Sequence, residues 1–152
     1  MGSRRQQLLS TALQFCEAFK CKTGMDTILA FFSSTHHIYA VEHGEPALAP
    51  FLGRRFTGAA GIREYFETVN AVLTYENLKF SDFVVDEENR KVALKGQGTF
   101  QWRSTKESWD ETFAYILSFD EEGKIIGYQV WADSGAAYLA KIGKLSEIRG
   151  RS

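Results

Sequence analysis

Leu8, Ala12, Phe15 and Phe19 recur at helical spacing over Arg4 to Lys20, and Ser3 with Gln6 forms a capping-box pattern. The chain is therefore expected to open on an amphipathic helix. Thr23 and Asp26 repeat the cap pattern for a short second helix, Met25 to Phe32, broken at Ser33-Ser34. The period then changes to two. His36 to Glu42 reads as a strand with His37, Tyr39 and Val41 on one face and Ile38 and Ala40 on the other. Both prolines, Pro46 and Pro50, fall in Gly44 to Arg55, which reads as loop. A third helix follows, capped at Thr57, with Ile62, Phe66 and Val69 as its buried stripe.

From Tyr75 onward the pattern is all strand. Leu78 to Val85 is one strand, and Asp86 to Asn89 the turn of a hairpin. Val92, Leu94, Phe100 and Trp102 alternate along the next, with a bulge or bend expected at Gly96 and Gly98. A turn near Ser104-Thr105 leads into Ser108 to Phe119, where Trp109, Glu111, Phe113, Tyr115 and Leu117 share a face. Asp120 to Gly123 is a further turn and Lys124 to Ala132 the last strand. Ser134 is expected to cap a short helix to about Ile142, and residues 144–152 are expected to be a flexible basic tail. Helices early and a meander late make one α+β domain over 1–152 with its core at about 8–142. A long sheet bent around helices leaves a hollow at its open end, the kind of concave site that small molecules occupy.

Composition narrows the function. The chain has 152 residues, 44% of them hydrophobic, and could bury about 70% of its unfolded surface without a metal or disulfide staple. Eighteen basic residues balance 19 acidic ones, and no basic stripe of the kind a nucleic-acid binder needs is present. No apolar run approaches the ~20 residues of a membrane-spanning helix. The first six residues hold neither a secretory core nor a lipidation signal, and two cysteines, Cys16 and Cys21, cannot build a disulfide framework or a zinc site. A cytoplasmic protein is expected.

The Val41-Glu-His-Gly44 loop, the lead-in Gly53-Arg-Arg-Phe-Thr-Gly58 to Ile62-Arg-Glu-Tyr-Phe66, and the ending Phe119-Asp-Glu-Glu-Gly-Lys124 through Trp131-Ala-Asp133 resemble the NTF2-like superfamily. The chain resembles the SnoaL-like and ketosteroid-isomerase-like branches in particular, over roughly Leu8 to Ala140. The resemblance implies a cone-shaped curved antiparallel sheet with a deep pocket, and a homodimer through the sheet's outer face. It does not fix the chemistry, because the superfamily holds isomerases, cyclases, dehydratases, hydrolases and binding domains. Ketosteroid isomerases place an aspartate base just after a Val-Glu pair; here Val41-Glu42 is followed by His43. Epoxide hydrolases of the superfamily carry Trp-x-Asp on the last strand, matched by Trp131-Ala132-Asp133. They also carry Arg-x-Asp on a central strand, where this chain has Gly96-Gln97-Gly98, so the hydrolase triad is incomplete and a hydrolase is the less favoured reading. SnoaL-type cyclases imply a pocket acid near the sheet end, a role open to Asp133 or Glu111.

Asp133 fits two roles: a desolvated base or acid at the pocket mouth, or the N-cap of the helix that follows. Glu111, on an aromatic strand face, is either a catalytic carboxyl, or the partner of Arg63 or Arg103, or simply exposed near the strand end. His37 and His43 fall on the side of Tyr39, a row able to move a proton and polarise a carbonyl, while the three histidines lack the spacing of a metal site. Tyr39 or Tyr115 is the candidate oxyanion donor. Trp102, Trp109, Phe113 and Trp131, with His37, are the candidate binding surface for a bulky apolar ligand. These residues lead to one expectation: a cofactor-independent acid–base isomerase or cyclase acting on a hydrophobic small molecule. A dehydratase on the same fold, or a binding or scaffold domain without chemistry, is the alternative.

Overall fold

The computed structural model describes residues 3–150. Helix α1 spans Arg4–Lys20 and α2 Met25–Leu29; β1 is Tyr39–His43 and β2 Arg55–Thr57. Helix α3 covers Gly58–Val72 and is followed by β3 (Leu73–Asp86), β4 (Lys91–Trp102), β5 (Ser108–Phe119) and β6 (Ile125–Trp131). Two short helices, α4 (Ser134–Lys141) and α5 (Leu145–Arg149), end the chain. The strands form one sheet in the order β2-β1-β6-β5-β4-β3, antiparallel except for the β1–β6 pair. No described helix is long and apolar enough to cross a membrane.

The helices lie in the hollow of the sheet. Ser3 Oγ accepts the Gln6 N–H and Gln6 Oε1 accepts the Ser3 N–H, so α1 begins with the capping box that its sequence predicts. Its Leu8, Ala12, Phe15, Cys16 and Phe19 face is buried. Phe15 meets Phe19, Phe31, Phe32 and Tyr128 edge-on, and its full burial contributes roughly 2–3 kcal/mol over an exposed ring. Inner-face rungs cross the sheet as Val92–Leu117–Tyr128–Ala40 and Leu94–Tyr115–Val130–Glu42.

Several expectations need correction. The second helix stops at Leu29, and its N-cap is Gly24 rather than Thr23, whose hydroxyl donates to the Ala18 carbonyl instead. β1 begins at Tyr39 because His36 is drawn into hydrogen bonds with Ser33 and Thr35. Arg55–Thr57 is an edge strand, too short to show a period and held by pairing with Tyr39–Val41. The bulges lie in β3, not at the β4 glycines; β4 and β5 pair in unbroken register from Lys91↔Ser118 to Gln101↔Ser108. Asn77 and Asp82, at the two register shifts, take positive φ of 58° and 56°, a conformation those short polar residues tolerate. Gly96 serves packing: a Cβ there would come 2.2 Å from the Phe113 ring. The segment expected to be a flexible tail includes α5, whose first N–H groups, from Leu145 and Ser146, donate to the Glu107 carboxylate at 2.8 and 3.1 Å. Residues 151–152 of that segment lie outside the described residues.

Candidate active site

The open end of the cone holds a cavity of about 340 Å³, walled by α1, α3 and the inner faces of β3 to β6. Most of its surface is aromatic or aliphatic: Phe19, Phe66, Val69, Leu78, Phe100 and Phe113 among others. Three carboxyl groups interrupt that wall: Glu42 from β1, Glu111 from β5 and, exposed after β6, Asp133.

Alternation along β1 buries Ala40 and Glu42 and turns Tyr39, Val41 and His43 outward. Glu42 is only 9% exposed, and the Tyr65 hydroxyl from α3 donates to its Oε1 at 2.6 Å. Burial raises its pKa to about 7, against the lowering effect of the Tyr65 bond, and the Glu111 charge adds to the rise. Glu111 Oε1 accepts the Trp109 indole N–H at 2.9 Å and the Asp133 backbone N–H at 3.2 Å. Burial lifts Glu111 to about 7 as well, its two donors pulling the other way and the Asp133 charge pushing it up. Near neutral pH each carboxyl is therefore divided between acid and base forms, inside a mostly apolar wall. Tyr65, Tyr115 and Tyr128 also line the cavity, and burial pushes all three phenols up, so they serve as hydrogen-bond donors rather than proton sources.

No family model matches the chain, and no curated protein matches it. Solved structures do. An NTF2-like protein from Burkholderia pseudomallei superposes with a TM-score of 0.75 at 12% identity, covering 88% of this chain and 96% of that one. The chain has the NTF2-like fold. TerC, co-crystallised with polyporic acid, has a TM-score of 0.73 at 18% identity, covering 88% of this chain and 97% of TerC. The BvnE pinacolase from Penicillium brevicompactum has a TM-score of 0.67 at 18% identity, covering 100% and 97%.

Within the NTF2-like cone the candidate residues separate into three groups. Glu111, Tyr115, Trp109 and Phe113 line the cavity together. Asp133 stands at the opening, exposed, with its Oδ1 accepting the Ala136 N–H at 3.0 Å as the N-cap of α4. His37, Tyr39, His43, Trp102 and Trp131 do not line the cavity. His43 stacks on Trp131 at 4.4 Å and meets Gln129 at 2.9 Å on the outer face, Tyr39 lies under the Arg55 guanidinium, His37 is exposed, and Trp102 is core. Neither expected arginine partners Glu111: Arg63 pairs with Asp26, and Arg103 Nε donates to the Asn70 carbonyl. Glu42 and Tyr65 are the residues that the sequence reading missed. The signal was present, because Glu42 continues the Ile38–Ala40 face of β1 while His43 continues that of Tyr39 and Val41. Among the described residues no group of three or more His, Cys, Asp or Glu is placed to hold a metal ion.

Proposed function

We propose that the cavity is the active site of a cofactor-independent acid–base isomerase or cyclase acting on a bulky apolar small molecule. The observation that carries this reading is the pair of cavity carboxyls, Glu42 and Glu111, both raised to about 7. With one ionised and the other protonated, the first removes a proton from the substrate and the second returns one at another atom, giving a product of unchanged mass. Tyr65 fixes the Glu42 carboxyl in the cavity wall, and Tyr115, which lines the cavity, is the donor to a developing oxyanion in this reading. The aromatic wall suits a ring-bearing substrate. BvnE, a pinacolase, and TerC, crystallised with polyporic acid, support small-molecule chemistry on this fold.

The test compares small-molecule extracts from the source organism carrying the gene, lacking it, or carrying Glu42→Gln or Glu111→Gln. Loss of the gene is expected to replace a product with an isomer of equal mass, and each variant to cut turnover roughly 10²-fold or more. A precursor heavier by one water would make the protein a dehydratase. Unchanged extracts, or full turnover in both variants, would leave a binding domain. The same reading includes a cytoplasmic setting, supported by the unpaired Cys16 and Cys21, and a homodimer through the sheet's outer face.

A further inference from the structure

The cavity has acids in its wall and cations at its rim. Arg103, directly after β4, and Lys22, directly after the Cys21 C-cap of α1, both line the cavity and are exposed. Arg103 uses its Nε on the Asn70 carbonyl at 2.8 Å, which leaves the paired Nη groups of the guanidinium without a recorded partner. Lys22 Nζ donates to the Tyr75 carbonyl at 2.8 Å and sits 4.9 Å from the centre of the Tyr75 ring. Among the described residues no carboxylate lies within 4.0 Å of either cation. Asp133, the exposed acid of the lining, accepts the Ala136 N–H at its Oδ1.

The backbone at Lys22 is a separate observation. Its φ is 52°, in the left-handed region, where the chain turns out of α1 with Lys22 N–H on the Phe19 carbonyl and Thr23 N–H on that of Ala18. Glycine is the residue that such a helix end favours. Here the strained position carries instead a long, flexible cation, and that side chain lines the cavity. An apolar cavity with two cations at its rim is complementary to an amphipathic anion. A guanidinium fork matches a carboxylate in two parallel hydrogen bonds, and an ammonium adds a point charge beside it.

We propose that the ligand of this cavity is an apolar molecule bearing one carboxylate or comparably acidic group, seated at the rim by Arg103 and Lys22 while its body extends towards Glu42 and Glu111. The proposal rests on reading the cavity as the substrate site, and it adds the substrate's charge and orientation.

Fluorescence titration with two probes of the same ring system tests it: 8-anilino-1-naphthalenesulfonate, an anion, and N-phenyl-1-naphthylamine, its uncharged counterpart. The wild-type chain is expected to bind the anion about tenfold more tightly, and added salt to weaken the anion alone. Lys22→Gly, which the left-handed backbone accepts, combined with Arg103→Gln is expected to bring the two affinities within about twofold and leave the neutral probe unchanged. Equal affinities in the wild type, a preference that survives the double variant, or binding of neither probe would overturn the proposal. Glu42→Gln with Glu111→Gln is expected to keep the preference for the anion. Turnover in those two variants bears on the acid–base reading alone, so the two proposals fail separately.

Discussion

Glu42 shows how one buried side chain joins stability to chemistry. Its carboxyl and that of Glu111 titrate near 7 in the folded chain, against 4.5 for an ordinary glutamate. The folded state thus holds protons that the unfolded chain releases, and stability falls as pH rises from the unfolded value towards the folded one. For Glu42 the loss is on the order of 3 kcal/mol. Acids held low in the fold have the opposite sign. Asp86 is lowered by its bonds from Asn89, Glu107 by those from Ser146 and Leu145, and in Asp120 the N–H groups of Lys124 and Glu122 outweigh burial. Their contribution is lost only as pH falls through the low carboxylate range, near 4 and below. Between about pH 5 and pH 8 the urea midpoint of the wild type is therefore expected to fall, and Glu42→Gln to flatten that fall and raise the midpoint at the alkaline end. A wild-type midpoint that is level with pH, or a variant that keeps the full slope, would contradict the buried pair. The choice between Glu42 and His43 as the inward residue was legible in the sequence, since a strand's period of two makes adjacent residues exclusive. The partner, Tyr65, was not, because it comes from α3, 23 positions away, and only packing brings its hydroxyl to Oε1.

At the scale of elements, Asp133 is the instructive case, because Asp-Ser-Gly-Ala reads equally as a helix start and as a pocket acid. The carboxylate accepts the Ala136 N–H, which is what the start of α4 needs. Asparagine keeps that acceptor and removes the base. Asp133→Asn is expected to leave both the Tm and product formation unchanged, whereas Asp133→Ala costs about 1 kcal/mol of stability. Lost turnover in Asp133→Asn at an unchanged Tm would make Asp133 a catalytic base after all. The long elements were readable because their periods are sustained: α1 with its capping box, α3, and the inner face of β5 from Trp109 to Leu117. What escaped was short or tertiary in origin. β2 exists through its pairing with β1, α5 through Glu107 brought from the β4–β5 turn, and the extension of β3 back to Leu73 through pairing with Trp102. The β3 bulges had a local signal in Asn77 and Asp82, but glycine is the louder one, and Gly96 was making room for the Phe113 ring.

The whole molecule has one face of its sheet covered and one open. Helices α1 and α3 occupy the inner face and leave the cavity at one end, while the outer face carries its own rungs. Val84, Ala93, Ile116, Gln129 and Val41 form one, and Lys95, Ala114, Trp131 and His43 the next. Trp131 is 40% exposed and Val84 65%, large apolar side chains on a surface that a second copy of the sheet would cover. A two-fold pairing places each residue against its symmetry mate's surroundings, so a charge introduced at the centre is met by its own copy. Sedimentation equilibrium of the wild type is expected to give twice the chain mass. Ile116→Asp with Trp131→Asp is expected to give the chain mass, with the fold intact by circular dichroism, because neither side chain lies in the core that α1 and α3 cover. Probe binding in the cavity should survive in that variant, since the cavity opens on the other face of the sheet. A wild type that sediments as a single chain would remove the dimer from the reading and leave the stack of His43 on Trp131 as the outer face's own means of shielding its largest ring.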